Sequence, residues 1–351
     1  MKYDITQIIH ERDNLSVRER TAIAVRLSIP SIIAQISSIL MQYIDAAMVG
    51  ALGANASASV GLVSSTIWLF DAIMMSCIYG FSVQIAHAIG AGKVSESKDV
   101  FLQGIKVNLV FSCFLAIVGV LLSFRLPYLL GGDVSIAGDA FKYFLVCVLF
   151  QPVFAMDYYA AACLQAAGNM KIVGALETIK CFLDMFFNFF FIFASGYKDI
   201  GFFRIYTFGF GLGAAGAALG TSFAELCVCA VMLYEAFYKT ESLKVIKGER
   251  HPITKRVITR ALQISLPSAV ENAALTGSQI VSTKIVAPLG NVSIAAHSFA
   301  ITAESLCYMP GYGLEAAATT LVGQSLGAGK NRLAKGFAYV TVGLGMLIMF
   351  I

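Results

Sequence analysis

Residues 28–53 read SIPSIIAQISSILMQYIDAAMVGALG, a long apolar stretch that contains one acidic residue, Asp45, and one proline, Pro30. This stretch is long enough to cross a bilayer, since a spanning helix needs about 20 mostly apolar residues. The whole chain has the same character: of its 351 residues 58% are hydrophobic and 13% are charged, whereas an ordinary soluble domain carries about 25% charged residues. The composition therefore excludes a soluble globular protein and predicts a polytopic membrane protein.

Apolar runs separated by glycine, proline and polar breaks predict an all-α fold with nine transmembrane helices. The predicted helices cover residues 21–50, 57–90, 98–123, 139–165, 171–195, 213–238, 258–288, 292–326 and 331–351. The polar segment 1–20 that precedes them has no signal-peptide pattern and is expected to be cytosolic.

The distribution of basic residues predicts the orientation in the membrane. With the N-terminus inside, twenty basic residues, Lys180 among them, fall on the inner side, and four fall on the outer side: Arg125, Lys142, Lys198 and Arg204. Because basic residues collect in cytoplasmic loops, we expect a cytosolic N-terminus. The net charge of +4 then reflects topology, and a nucleic-acid partner is not expected.

Three short motifs recur at one ungapped offset of 237 residues. Ser28-Ile29-Pro30 returns as Ser265-Leu266-Pro267, Leu52-Gly53 as Leu289-Gly290, and Gly90-Ala91-Gly92-Lys93 as Gly327-Ala328-Gly329-Lys330. Transporters are commonly built from such duplications. Because the offset spans six helices, an even number, the second copy enters the membrane in the same direction as the first, which indicates a parallel repeat. The pattern predicts a six-helix lobe at 21–238, a basic cytosolic linker at 239–257, and at 258–351 a second lobe with its first three helices only.

Motifs for enzymatic or metal chemistry are weak. The Gly-Ala-Gly-Lys motif lacks the upstream glycine and the following Ser or Thr of a phosphate-binding loop, so a tight turn with an inside-facing lysine is the better interpretation. The eight cysteines lie in apolar runs without a C-x-x-C pair and are interpreted as packing residues. No Ser/His or metal-ligand constellation is present in the sequence, so neither an enzyme nor a bound cofactor is expected.

The chemistry is expected to reside in ionisable residues at bilayer depth, because such residues are costly there and usually face a cavity or a partner. The candidates are nine acids and one base: Asp45, Asp71, Asp157, Glu177, Asp184, Glu225, Glu271, Glu304, Glu315 and Lys284. An interior with this excess of acids favours cations, including protons and sodium, and disfavours an anion carrier.

Asp45, Asp184 and Asn188 are the strongest candidates for a functional site. Asp184 and Asn188 are i,i+4 neighbours in a very apolar helix, and together with a carboxylate from another helix they would suit a proton or a hard cation such as sodium. Glu177 has two interpretations, a transport residue or an interfacial ion-pair partner of the nearby lysines. The amine of Lys284 is expected to snorkel outward.

Several of these features resemble the MATE (multidrug and toxic compound extrusion) family over essentially the whole chain. The segments that carry the resemblance are Pro30 and Pro267, YIDAAMVG at 43–50, LQAAGNMK at 164–171 and LVGQSLGAG at 321–329. One departure is Gln165, which stands where arginine is common. The resemblance implies two six-helix lobes around a V-shaped cavity, alternating access, and export driven by inward proton or sodium flow.

The resemblance assigns roles residue by residue. Asp45 matches the first-helix aspartate of the cation site in the N-terminal lobe. Asp184 and Asn188 match the polar pair on the fifth helix, here in swapped order. The glutamate of the C-terminal site falls at Leu275, with Glu271 one turn earlier. We therefore expect coupling in the N-terminal lobe, as in the branch that contains the DNA-damage-inducible efflux proteins.

The predicted function is secondary antiport of cationic or amphipathic small molecules against protons or sodium. Asp45, Asp184 and Asn188 are the predicted coupling site, Pro30 and Pro267 are the hinges, and the transported ion is the only metal expected. Candidates for the substrate or proton path are Asp71, Glu177, Glu225, Glu271 and Glu304. A monomer in the plasma (inner) membrane is expected, with the lipid bilayer and cationic substrates as its partners.

Two alternatives stay open. A lipid-linked oligosaccharide flippase of the same wider superfamily would share the duplicated helices, but it should favour a cationic cavity. A non-functional truncated transporter is the other alternative, because an incomplete second lobe would leave polar surface in lipid.

Overall fold

The computed structural model describes residues 8–9, 11–12, 15–200, 203–245 and 254–350. Its helices are α1 (Val17–Gly50), α2 (Ala54–Gly90), α3 (Val94–Ser123), α4 (Leu126–Leu129), α5 (Val134–Leu149), α6 (Gln151–Ala166), α7 (Met170–Ile192), α8 (Ala214–Tyr234), α9 (Lys255–Val286), α10 (Asn291–Gly327) and α11 (Asn331–Phe350). A π-helical turn, Glu235–Lys239, continues α8. Parts of the predicted segments 1–20 and 239–257 lie outside the described residues.

The helical prediction is confirmed, and most helix ends fall within a few residues of their predicted positions. Helix α1 starts earlier than expected because Ser16 and Glu19 form a capping box, in which the Glu19 N–H donates to Ser16 Oγ and Glu19 Oε2 accepts from the Ser16 N–H. Such reciprocal bonds satisfy two backbone donors that a helix start otherwise leaves unpaired.

One predicted helix, 139–165, is instead two helices that meet at an angle of 48°. The break falls at Phe150 and Gln151, directly before Pro152. Proline lacks the backbone N–H and its ring clashes with the preceding turn, so α6 begins anew there.

A short β-hairpin, absent from the sequence prediction, connects α7 to α8. Its strands are β1 (Ala194–Ile200) and β2 (Phe203–Phe210), paired antiparallel. Ser195 Oγ donates to the Gly209 carbonyl at 2.8 Å and accepts from the Gly209 N–H at 2.9 Å. Aromatic and β-branched residues of β2, including Ile205 and Tyr206, are the sequence signal that favours a strand here.

Five of the described helices are long and apolar enough to cross a membrane, or six if the bent pair α5 and α6 counts as one span. The number of nine spans stays a prediction, since α7, α9 and α10 are not among these helices. The protein is a membrane protein with a helical fold.

Helix α2 lies at the centre of the molecule. Its apolar side chains Leu62, Met74, Ile78 and Phe81 are fully buried or nearly so. It packs on α3, α5 and α6 on one side and on α9 and α10 on the other. Helix α1 packs on α7 and α10, and these contacts position the acids of α1 and α7 beside the centre of the bundle.

Helix bounds and turn glycines recur at the same 237-residue offset as the sequence motifs. Helix α2 and helix α10 begin and end at matching positions, and the glycines that precede them, Gly53 and Gly290, have φ values of +111° and +99°. The turns after them place Gly92 and Gly329 at φ +70° and +75°. Only glycine adopts this backbone region without strain, so the tight turn predicted at Gly-Ala-Gly-Lys is confirmed.

Contacts between α2 and α10 also follow this offset. A Cβ on Gly90 would overlap the backbone of Gln324, and a Cβ on Gly327 would overlap the backbone of His87, which is the same contact with the two helices exchanged. Gly61 lies against Ser298, its own counterpart at the offset.

Candidate functional site

The structure brings Asp45, Asp184 and Asn188 together. Asn188 Nδ2 donates to Asp45 Oδ1 at 2.6 Å and to Asp184 Oδ2 at 2.9 Å. Asp184 and Asn188 are fully buried, whereas Asp45 is half-buried. One amide therefore links two carboxylates from different helices, in the arrangement that the i,i+4 spacing predicted. We call these three residues the Asn188 trio.

The trio forms where α1 and α8 pack against α7. Gly220 of α8 faces the Asn188 side chain, and any larger residue at position 220 would occupy the space of Asn188 Oδ1. Asp184 Oδ1 and Asn188 Oδ1 are both buried without a hydrogen-bond partner. Buried oxygens without a donor are unfavourable, so the trio retains acceptor capacity for a proton or a cation.

A cavity of about 220 Å³ adjoins the trio. Three acids line it, namely Asp45, Asp71 and Glu225, and among the described residues around it none is Lys, Arg or His. Gln151 Nε2 donates to Asp71 Oδ1 at 3.1 Å. The remaining lining is aliphatic, aromatic, small or polar and includes Ile67, Trp68, Tyr143, Tyr158, Thr221 and Phe299. An apolar and aromatic pocket with a few acids suits an organic cation.

Beside this cavity lies a buried charge cluster, of which the sequence analysis offered only the pairing of Glu177 with a nearby lysine. Lys180 Nζ of α7 lies 2.7 Å from Glu177 Oε2, 3.1 Å from Asp157 Oδ2 and 3.1 Å from Glu225 Oε1. The Lys180 side chain is only 3% exposed. Assigning Lys180 to the inner-loop charges was therefore wrong, and Lys284 is not the one base of the interior. The i,i+3 spacing of Glu177 and Lys180 is the signal that points to this ion pair.

The other predicted site residues lie apart from the trio and the cavity. Glu271 of α9 and Glu304 of α10 are exposed and do not line the cavity, and Lys284 is exposed as well. Pro30 lies within α1 and Pro267 within α9. The Pro30 carbonyl packs against Gly174 of α7 so closely that a Cβ there would not fit. The proline of α1 is thus in direct contact with α7, the helix that carries Asp184 and Asn188.

Within the described residues, no group of three or more His, Cys, Asp or Glu side chains has the geometry to hold a metal ion. The eight cysteines are unpaired, and four of them are buried in the bundle, in agreement with a packing role.

Comparison with known proteins places this geometry in a family. The family model described as MatE matches residues 30–190 and 267–351. A probable multidrug resistance protein NorM from Thermotoga maritima is 26% identical over 313 residues, which are 88% of this chain and 63% of that protein. The multidrug resistance protein NorM of Vibrio parahaemolyticus is 24% identical over 316 residues, 88% of this chain and 66% of that protein. The chain thus spans less than two thirds of the length of these relatives.

Solved structures show the same fold. A mutant of the Vibrio cholerae MATE transporter VcmN superposes with a TM-score of 0.78 at 20% identity, covering 92% of this chain and 70% of that one. A MOP superfamily transporter from Pyrococcus furiosus gives a TM-score of 0.82 at 19% identity, covering 99% and 72%. The matched residues 30–190 contain the Asn188 trio and the acids of the adjoining cavity apart from Glu225, and on this evidence the chain belongs to the MatE family.

Proposed function

We propose that this chain acts in secondary antiport, exporting cationic or amphipathic small molecules in exchange for protons or sodium. The observation that carries the proposal is the acidic lining of the cavity by Asp45, Asp71 and Glu225. A carboxylate in a site of low dielectric attracts a cation far more strongly than it would in water. The names of the NorM relatives, which describe multidrug resistance, are consistent with such cargo.

Asp45 provides the coupling because it belongs to both the cavity and the Asn188 trio. The same carboxylate faces the cargo on one side and accepts from Asn188 on the other. A proton or a sodium ion bound at the trio neutralises Asp45 and weakens its attraction for a cationic cargo. Each ligand then favours a different state of the transporter, which is the requirement for coupled exchange.

The proposed conformational change is alternating access between two lobes related by a parallel repeat. The recurrence of helix bounds and of the α2–α10 contacts at one offset supports the repeat. Bending of α1 at Pro30 reshapes the cavity, since Pro30 separates the capped start of α1 from the segment that carries Asp45. We place the transporter in the plasma membrane with its N-terminus in the cytosol, as its basic residues predict.

A flippase for lipid-linked oligosaccharides is the weaker candidate. Its pyrophosphate would need basic groups, and the described residues that line the cavity include none. Lys180 does not supply one, because three carboxylates surround its ammonium group.

The test is efflux of ethidium from cells that lack their own efflux pumps and express this chain. We expect accumulation of ethidium to fall on expression and to return to the level of empty cells with Asp45→Asn. Asp139→Asn is the matched control, because Asp139 is an exposed acid whose only described ion pair is a 3.8 Å contact with Lys142. Efflux that Asp45→Asn leaves intact would contradict the proposed coupling, and efflux of anions but not of ethidium would favour the flippase.

A further inference from the structure

The Lys180 cluster combines residues from three helices: Asp157 on α6, Glu177 and Lys180 on α7, and Glu225 on α8. It is separate from the Asn188 trio, and of its four residues only Glu225 has a role in the antiport described above, as part of the cavity lining. Fully ionised, its three carboxylates and one ammonium carry a formal charge of −2. A net charge of this size is costly to bury unless something neutralises part of it.

The distances divide the cluster into two parts. Glu177 Oε2 makes the shortest contact with the ammonium, 2.7 Å, and this pair is neutral. Asp157 and Glu225 each give one oxygen to the same nitrogen at 3.1 Å. The two residues are only 0% and 2% exposed. Their other oxygens, Asp157 Oδ1 and Glu225 Oε2, are therefore buried, and they have no hydrogen-bond partner. A proton added to either carboxyl group would convert an orphaned acceptor into a donor.

The same two residues are close to each other and near the cavity. Asp157 and Glu225 meet at the Lys180 nitrogen from opposite helices, and Glu225 and Tyr158 both line the cavity. The other titratable or charged groups that face the pair are Glu177 and Lys180 of α7, Tyr158 of α6 and Cys229 of α8. Lys180 is the only cation among them, and its positive charge is already shared by three acids.

We propose that Asp157 and Glu225 form a second proton-binding site, in which one exchangeable proton is held by the two carboxyl groups and reaches the cavity at Glu225. Lys180 is the positioning residue that holds the pair together. A proton fits the site better than a metal ion, since the described residues include no group with metal-holding geometry. The inference rests on the proposed antiport and extends it. The Asp157–Glu225 pair holds a second proton beside the cargo, in addition to the proton or ion that Asp45 binds.

The experiment is infrared spectroscopy of the purified full chain in lipid, which detects the carbonyl stretch of protonated carboxyl groups and its shift in D2O. All variants are made in the Asp45→Asn background, so that the Asn188 trio contributes as little as possible. We expect Glu225→Gln and Asp157→Asn each to remove the same exchangeable component, because a cluster that has lost one carboxylate carries without a proton the same charge of −1 that the parent cluster carries with one. Lys180→Met should instead increase the protonated signal, because the three carboxylates then lose the cation that favours their ionised forms.

Asp139→Asn is the matched control, since Asp139 is an exposed acid outside the cluster, and it should leave the signal unchanged. The proposal is overturned if Glu225→Gln and Asp157→Asn both show the full signal of their parent, or if the component does not exchange in D2O. Because no cargo is present in the measurement, its result is independent of whether the chain exports ethidium. Failure of the efflux assay with retention of the shared signal would reject the antiport and keep the proton site.

Discussion

Gly220 of α8 lies so close to Asn188 of α7 that a methyl group at position 220 would overlap the Asn188 Oδ1 atom. The tight approach of these two helices leaves the Asn188 side chain with little freedom to turn. Its Nδ2 atom is thereby held between Asp45 and Asp184. The geometry of the proposed coupling site thus depends on a residue that has no polar side chain.

Gly220→Ala should displace Asn188 and reduce both efflux and thermal stability. Overpacking of this kind costs about 1–3 kcal/mol, which thermal unfolding in detergent can measure. The matched control is Gly277→Ala on α9, where an added Cβ meets nothing within 4 Å. If both alanine variants unfold and transport like the parent, the contact with Gly220 does not hold Asn188 in place.

Asn188→Leu should destabilise the protein by leaving two carboxylates without their shared donor. An unpaired buried polar group costs about 1–3 kcal/mol. The loss should be smaller at pH 5 than at pH 7, because protonation of an aspartate relieves repulsion between the two. Thermal unfolding at both pH values measures this, with Asn55→Leu, at an exposed asparagine, as the control. Equal losses at the two pH values would argue against charge repulsion as the cause.

Lys180→Met should be the most destabilising single change in the N-terminal half, at about 3–5 kcal/mol, because it leaves three buried carboxylates without a cation. Lys142→Met is the control, since that lysine is exposed and its ion pair among the described residues is a 3.8 Å contact with Asp139. Thermal unfolding of both variants in detergent provides the comparison. An equal loss of stability for the two variants would mean that the buried cluster stabilises the protein no more than an exposed ion pair does.

Pro30→Ala should slow efflux several-fold while preserving the fold. Alanine restores the backbone N–H that proline lacks, so the helix becomes harder to bend at this point. Initial efflux rates and thermal unfolding, measured together, separate slower switching from loss of structure. Pro127→Ala, at the start of the short helix α4, is the control. An unchanged rate with Pro30→Ala would remove Pro30 as the hinge.

Much of the fold is predictable from the sequence because apolar length, glycine turns and caps are local signals. The repeat of Gly-Ala-Gly-Lys indicated both tight turns, and the i,i+4 spacing of Asp184 and Asn188 predicted the trio. The break at Pro152 and the hairpin were missed, since a continuous apolar run hid the first and the connection 196–212 between two predicted helices was assigned no strands.

The charge cluster was missed for a different reason. Lys180 was interpreted as an inner-side charge that could pair with Glu177 at the membrane interface, but its burial depends on Asp157 and Glu225, which lie on other helices. When a charged side chain is neutralised by residues on other helices, the sequence of its own helix shows no pattern that reveals the contact. For the same reason, the exposure of Glu271 and Glu304 was not visible from their position in apolar runs.

The exchange of contacts between α2 and α10 limits how the two halves of the chain can diverge. Gly90 and Gly327 each touch the backbone of the opposite helix, at Gln324 and His87, so a side chain introduced at either one forces the helices apart along their whole crossing. Gly61 and Ser298 touch each other directly, so a larger residue in one must be offset by a smaller one in the other. Helices α2 and α10 are therefore free to vary at their acids and in their adjoining loops, whereas at this crossing they must change together.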